Sequence, residues 1–376
     1  MKLWLCIFSL ALTGILLSCK KKTETVEKDV IVYQNPVYKW SRVSFFDQVQ
    51  SNDIKNAVNL SGHRLLFYST NYIFIYDSTS NTFKSNWAPF SPDLQATPVI
   101  TNSYCTSAAQ GLLLMVPTNI DPVSSADVTK MDLLQFDSAF YNFNFFPKFR
   151  TGEMIGNENS LIVPYYTAKS PGYVDYYLCI KIKEQAYSAL SFSLYVADSY
   201  KKIKASPSPS IEDGYNYCFS AIGSNFLVRM NNGKNYIINS SFDTIPITND
   251  YNFYSFFTYL NQHYAVVSTV SGYKLATTTD QGLTWQIIYD LSQSFEYMNF
   301  SQVGDKLICY TGNPSINPNN LYQIIFNGSS ISSKELVNDG LQNVTIRSVN
   351  MLNNQVFIST NYGVFERPYS EFIDYK

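Results

Sequence analysis

Apolar residues in this chain come in short runs of about four to eight, many alternating with polar ones, and the turns between them are rich in Asp, Asn, Ser or Gly. That period suits strands on a pleated surface, and no long stretch has apolar residues at helical spacing. The pattern also repeats. Phe67-Tyr68-Ser69-Thr70-Asn71-Tyr72 and Phe357-Ile358-Ser359-Thr360-Asn361-Tyr362 share five of six residues and lie 290 positions apart. Equivalent strands are expected at Leu114, Val163, Val228, Val267 and Ile308.

Each of these strands has a partner shortly after it: Ile73–Tyr76, Leu133–Phe136, Tyr176–Lys181, Tyr236–Ile238, Tyr273–Thr277, Tyr322–Phe326 and Val364–Phe365. The mean interval of about 48 residues is that of a propeller blade. The prediction is an all-β chain folded as a β-propeller of seven blades. The alternative is six blades with an irregular N-terminal strand pair. The segment 37–46, with Tyr38, Trp40, Val43 and Phe45, reads as a strand that would complete the last blade. Ser206-Pro207-Ser208-Pro209-Ser210 cannot lie in a central strand and reads as an exposed loop.

One turn is more informative than the others. Thr278-Thr279-Asp280-Gln281-Gly282-Leu283-Thr284-Trp285 joins two strand-like runs. An Asp side chain can accept hydrogen bonds from N–H groups further along a turn. Gly282 can take positive φ, and the indole of Trp285 can be clamped beneath. The stretch resembles the Asp-box of bacterial neuraminidase-type repeats, matching it at Thr278, Asp280, Gly282, Thr284 and Trp285. The resemblance implies a folding device that recurs once per propeller blade. The turns at Asp77-Ser78-Thr79, Asp137-Ser138-Ala139 and Ser241-Phe242-Asp243 read as decayed copies.

The N-terminus reads as an address. Lys2 precedes an apolar run from Leu3 to Leu17, too short to span a bilayer comfortably, and lysines follow at once. Leu16-Leu17-Ser18-Cys19 resembles the lipobox of bacterial lipoproteins. That implies a signal peptide over 1–18, lipidation of Cys19, a tether over 19–36 and a folded domain over 37–376. Lys20 after the cysteine implies, by the same resemblance, the outer membrane, with the face left open. The membrane is then one partner, reached through the lipid.

Composition narrows the function. Aromatic residues make up 16% of the chain and charged ones 15%, with a formal net charge of -2. So little charge excludes nucleic acid as a partner and argues against disorder. With residues 1–18 removed and Cys19 lipidated, Cys105, Cys179, Cys218 and Cys309 remain, in apolar contexts without a CxxC pair, which suits buried thiols. Their disulfide state stays open.

No catalytic constellation is visible. Only His63 and His263 are present, so no metal site is expected, and no phosphate loop or nucleophile elbow implies a cofactor. The sialidases that share the Asp-box use an arginine triad, a Tyr–Glu pair and an Arg-Ile-Pro signature. This chain has no Arg-Ile-Pro, and its arginines are Arg42, Arg64, Arg150, Arg229, Arg347 and Arg367. The expectation is a monomeric, lipid-anchored envelope domain that binds a protein or glycan without catalysis, as an assembly or scaffold factor. The alternative is a sialidase-like glycoside hydrolase. No ligand-binding residue can be named from the sequence.

Overall fold

The structure is a computed structural model that describes residues 39–375 apart from internal segments, the longest being 88–98, 118–128, 138–153, 209–216 and 312–319. The signal peptide over 1–18, Cys19, the tether over 19–36, and Arg150 lie outside the described residues, as do the loop residues Pro209 and Ser210.

The described residues form seven four-stranded antiparallel sheets. In chain order the sheets cover 54–87, 99–132, 155–208, 217–246, 252–290, 298–335 and 346–368. They are called the first to the seventh sheet below. The first six are simple meanders. The seventh takes three strands from 346–368 and its fourth from Ser41–Arg42, which pairs with Gly363–Pro368.

The sheets stand side by side in a ring, the β-propeller architecture expected from the sequence. Each innermost strand packs beside that of the next sheet: Ile155–Asn157 on Tyr217–Ile222, Asn252–Tyr259 on Met298–Val303, and Ile346–Leu352 on Ile54–Asn59. The second sheet reaches the first through Ile100, which packs on Leu60, Leu66 and Ile75. Closing the ring inside one sheet, with a strand from each end of the domain, leaves no gap between the last sheet and the first.

The core therefore lies between sheets. Val163 and Leu178 of the third sheet meet Met115 and Met131 of the second, and Phe67 and Phe74 of the first meet Phe357 and Val364 of the seventh. Aromatic residues dominate some of these seams. Phe257 stacks on Phe300 with ring centroids 4.4 Å apart, and Tyr264 stacks on Phe326 at 5.9 Å. Such pairs add geometric specificity to simple burial.

The segment expected as a strand over 37–46 is one, among its described residues, only at Ser41–Arg42 and turns into a 3-10 helix over Ser44–Gln48. Two further expectations need correction. Leu114 lies in Leu112–Pro117, the third strand of its sheet rather than the second, and Leu133–Gln135 is a 3-10 turn. The true second strand, Tyr104–Ala109, carries Cys, Thr, Ser and two Ala, so the more apolar neighbour drew the assignment. Asp132 ends the following strand, Thr129–Asp132, by accepting the Leu134 N–H at 2.8 Å.

The second correction concerns Ser206–Ser208, which belongs to strand Phe192–Ser208 with Pro207 opposite Val174. This strand is the outer edge of its sheet, where proline is tolerated because no further ladder needs its N–H. It is 17 residues long, and its partner Gly172–Tyr187 is 16. Beyond Lys181 the two run on alone as a ribbon. Ile182 and Tyr195 of that ribbon are buried against the second sheet, with the Tyr195 and Tyr104 rings 5.4 Å apart. The ribbon accounts for the long spacing between Val163 and Val228.

Candidate ligand-binding face

In a four-stranded meander the turns joining strands one to two and three to four share one end. The turn between strands two and three, and the connection to the next sheet, share the other. Every sheet starts and finishes at the same end, so the ring has a turn end and a connection end.

The turn at Thr278–Trp285 lies at the turn end of the fifth sheet. Asp280 Oδ1 accepts hydrogen bonds from the Thr284 N–H and the Thr278 hydroxyl, each at 2.9 Å, and Oδ2 accepts from the Thr284 hydroxyl at 2.6 Å. Thr278 Oγ1 in turn accepts the Gly282 N–H at 2.9 Å, and Trp285 Nε1 donates to the Gly282 carbonyl at 3.0 Å. Partial burial acts to raise the Asp280 pKa, but the bonds from Thr284 and Thr278 outweigh it and hold the carboxyl below the usual range. A carboxylate held by so many donors is committed to the turn.

The turn is also a clamp between sheets. Gly282 has φ +90°, and a Cβ there would meet Ile222 Cδ1 at 3.0 Å and Ile237 Cδ1 at 3.1 Å, both in the fourth sheet. Asn225 of that sheet donates to the Gln281 carbonyl at 3.2 Å. Trp285 is buried with its ring centroid 5.3 Å from that of Phe253.

Simpler versions occur elsewhere at this end. Asp77 Oδ1 accepts the Thr79 N–H at 2.9 Å. In the fourth sheet the accepting side chain is Asn239, which takes the N–H groups of Ser241 and Asp243 at 2.9 Å each. Asp243, the residue expected in that role, instead forms an ion pair with Lys201 at 2.8 Å. Asparagine offers the same oxygen at the same spacing, and that was the missed signal. Ser138 and Ala139 lie outside the described residues, while Asp137 accepts from the Tyr165 hydroxyl at 2.7 Å and from Lys202.

Exposed apolar side chains occur at both ends, Leu260 among them at the turn end. The connection end has three. Large apolar side chains are exposed there at Val270 and Tyr362, in the second-to-third turns of the fifth and seventh sheets, and at Tyr254, near the start of an innermost strand. Four innermost strands carry a register irregularity within their first three residues. The residues left unpaired are Lys55, Phe219, Tyr254 and Arg347. A bulge of this kind inserts one residue and re-aims its side chain.

Arg42 pairs with Asp47 at 2.8 Å, Arg64 with Asp77 at 3.6 Å, and the buried Arg367 with Asp339 at 3.2 Å. Arg229 and Arg347 lie at the connection end of strands Asn225–Arg229 and Ile346–Leu352. The Nε of each is shielded from solvent without a hydrogen-bond partner. Arg347 Nε is 3.9 Å from Asp53 Oδ1, which is also shielded and unbonded, while Asp53 Oδ2 is held by Lys55.

Other reactive groups are dispersed. His63 lies 3.8 Å from Asp77, while His263 Nδ1 is 3.0 Å from the Thr258 hydroxyl in another sheet. Cys179 and Cys309 are buried free thiols. Burial pushes the Cys309 thiol up to about 12 and raises that of Cys179 as well. Among the described residues, no three His, Cys, Asp or Glu are grouped to hold a metal ion.

No family model matches the chain, and no curated protein matches it. Solved structures that resemble it include BamB from Moraxella catarrhalis, 8% identical with a TM-score of 0.42, covering 83% of this chain and 84% of that one. A chain of the Mitotic Checkpoint Complex is 10% identical with a TM-score of 0.48, covering 85% of this chain and 90% of that one. A luciferin-regenerating enzyme is 7% identical with a TM-score of 0.42, covering 90% and 97%. Similarity this remote carries no argument about activity.

Proposed function

We propose that this chain is a lipid-anchored β-propeller of the bacterial outer membrane, with each of the seven sheets as one blade, that holds a protein or glycan partner without catalysis. Its role is that of an envelope assembly or scaffold factor. The observation that supports this most is the exposure of Tyr254, Val270 and Tyr362 at the connection end of a ring whose described seams are packed. Exposed aromatic and apolar side chains on a rigid frame suit binding, because little conformational entropy is lost on contact.

Purification of the full-length chain from its native envelope in mild detergent, followed by mass spectrometry and a glycan array, tests this reading. A stoichiometric partner or saturable glycan lost on Val270→Asp or Tyr362→Asp is the expected result. Binding unaffected by both would place the site elsewhere. The glycoside hydrolase reading draws on Arg229 and Arg347, which sit at the same end without hydrogen-bonded acceptors at Nε. Turnover of a bound glycan would establish that reading instead. Metabolic labelling with a fatty-acid analogue, lost on Cys19→Ser, tests the anchor.

A further inference from the structure

We infer that Leu260, at the tip of the first turn of the fifth sheet, is the anchor of a second docking surface, at the turn end, and that it seats in an apolar cleft of a protein partner. The inference extends the scaffold role proposed above, because it gives the ring a contact at each end.

The first observation is conformational. In four sheets the two-residue turn between the first and second strands opens on a residue with positive φ: Gly223 at +60°, Leu260 at +49°, Gly304 at +61° and Asn353 at +55°. Glycine and asparagine take this conformation readily, whereas a bulky side chain is strained against its own backbone. Three of these turns carry a residue type that the geometry favours. The fifth sheet carries leucine.

Burial does not account for the choice. Phe242, the other large apolar residue with positive φ among the described residues, is buried in the seam between the third and fourth sheets, which offsets its strain. Leu260 is 61% exposed. Backbone strain that folding does not require is a mark of function. A leucine side chain has no reactive group, so the function open to it is contact.

The turn is also held in place before any partner arrives. The Leu260 N–H donates to Gln302 Oε1 in the sixth sheet, and Gln302 Nε2 donates to the Gly304 carbonyl, both at 2.9 Å. The Tyr259 hydroxyl donates to the Asp305 carbonyl at 2.9 Å. An anchor fixed in this way loses little freedom on docking.

The surroundings select the partner. A leucine offers a sugar no hydrogen bond and gains by leaving water for an apolar cleft. A bilayer is the other apolar destination, but Asn261 and Gln302 beside Leu260 are exposed, and the Asp305 side chain is 68% exposed. Insertion would strip these groups of water. Among the described residues, no other large apolar side chain is exposed in a turn at this end to offset that cost. A protein cleft with a polar rim takes the leucine and leaves its neighbours hydrated or paired.

The test separates stability from binding in the full-length chain. Leu260→Asn gives the fifth turn the Asn-Asn sequence of the seventh, and should raise the melting temperature by about 1–3 °C, while Asn353→Leu lowers it. A photoreactive benzoylphenylalanine placed at position 260 should form an adduct with one protein in the native envelope. Co-purification of that same protein should fall at least tenfold on Leu260→Asn and persist on Val270→Asp. A melting temperature unchanged or lowered by Leu260→Asn overturns the assignment, since the leucine would then serve the fold. So do adducts only with lipid, glycan or a second copy of this chain, and so does unchanged retention of the partner in Leu260→Asn. Binding lost on Val270→Asp or Tyr362→Asp but indifferent to Leu260→Asn would leave the connection-end role intact and remove this anchor. The converse result would keep the anchor and remove that role.

Discussion

Ser41 lies directly opposite Glu366 in antiparallel register, and Arg42 lies opposite Phe365. Two rungs thus tie residues from the two ends of the domain into one sheet. The residue before this strand does more than the strand itself. Trp40 is buried with its ring centroid 5.7 Å from that of Phe372 and the Arg367 guanidinium 5.8 Å from its own ring. The Trp40 backbone N–H donates to the Asp339 backbone carbonyl at 3.1 Å.

Trp40→Ala is therefore expected to cost about 3–5 kcal/mol, the range for removing a large buried aromatic side chain. It should do so by loosening the seventh sheet rather than any one loop. Urea unfolding checks the magnitude, and hydrogen exchange checks the location, with loss of protection expected first in strand Gly363–Pro368. Uniform loss across all sheets would show that closure and ring stability are a single cooperative event.

The turn at Asp280 gives a second prediction. Asp280→Ala removes the acceptor for Thr278 and for both donors of Thr284, and should destabilise the domain by about 1–3 kcal/mol through the donors left behind. Asp280→Asn keeps one acceptor oxygen and should cost less. The folded pKa lies below the ordinary value, so this contribution is present above the unfolded pKa of about 4 and is lost as pH falls through the folded pKa. Melting curves of wild type and Asp280→Ala should therefore converge in acid. A constant gap down to low pH would show that the carboxylate charge contributes nothing.

Glu366 behaves in the opposite sense. Burial raises its pKa, against a hydrogen bond with Gln355 that lowers it. The folded state then binds more protons than the unfolded chain between the unfolded pKa, about 4.3, and the raised folded value. Stability should decline as pH rises through that window. Glu366→Gln should remove the decline and match or exceed wild type near neutrality. Urea midpoints measured from about pH 4 to pH 7 give the answer, and a variant less stable at neutral pH would mean that the carboxylate has a partner that matters.

Much of this architecture was legible because each sheet repeats one signal. A strongly apolar second strand such as Arg64–Ser69 or Gln355–Thr360 is followed by a third and a polar turn. The reading slipped where a strand lacked that signal, at Tyr104–Ala109, whose Cys, Thr, Ser and two Ala make it less apolar than its neighbour Leu112–Pro117. It also slipped at Asn239, where the wrong residue type was expected for a correct turn. The clustering of Lys55 and Arg347 was not legible at all. They are 292 positions apart, and each reaches the seam through a bulge that leaves no mark in a period-two pattern.

The cysteines allow a last prediction. Cys179 and Cys309 are free and buried in different sheets, and burial holds both thiols well above their ordinary pKa. Only the thiolate attacks an electrophile, so both should be inert to a maleimide at neutral pH in the folded domain. They should become reactive together when the chain unfolds. Mass spectrometry after labelling along a urea gradient reads each site separately. If Cys309, in the seam between the fifth and sixth sheets, labels at lower urea than Cys179, that seam opens before the ring as a whole. Simultaneous labelling would mean that the sheets unfold as one unit, as expected of a ring in which each sheet's core is completed by its neighbour. Rapid labelling of either thiol in the absence of urea would contradict the packing described for these sheets.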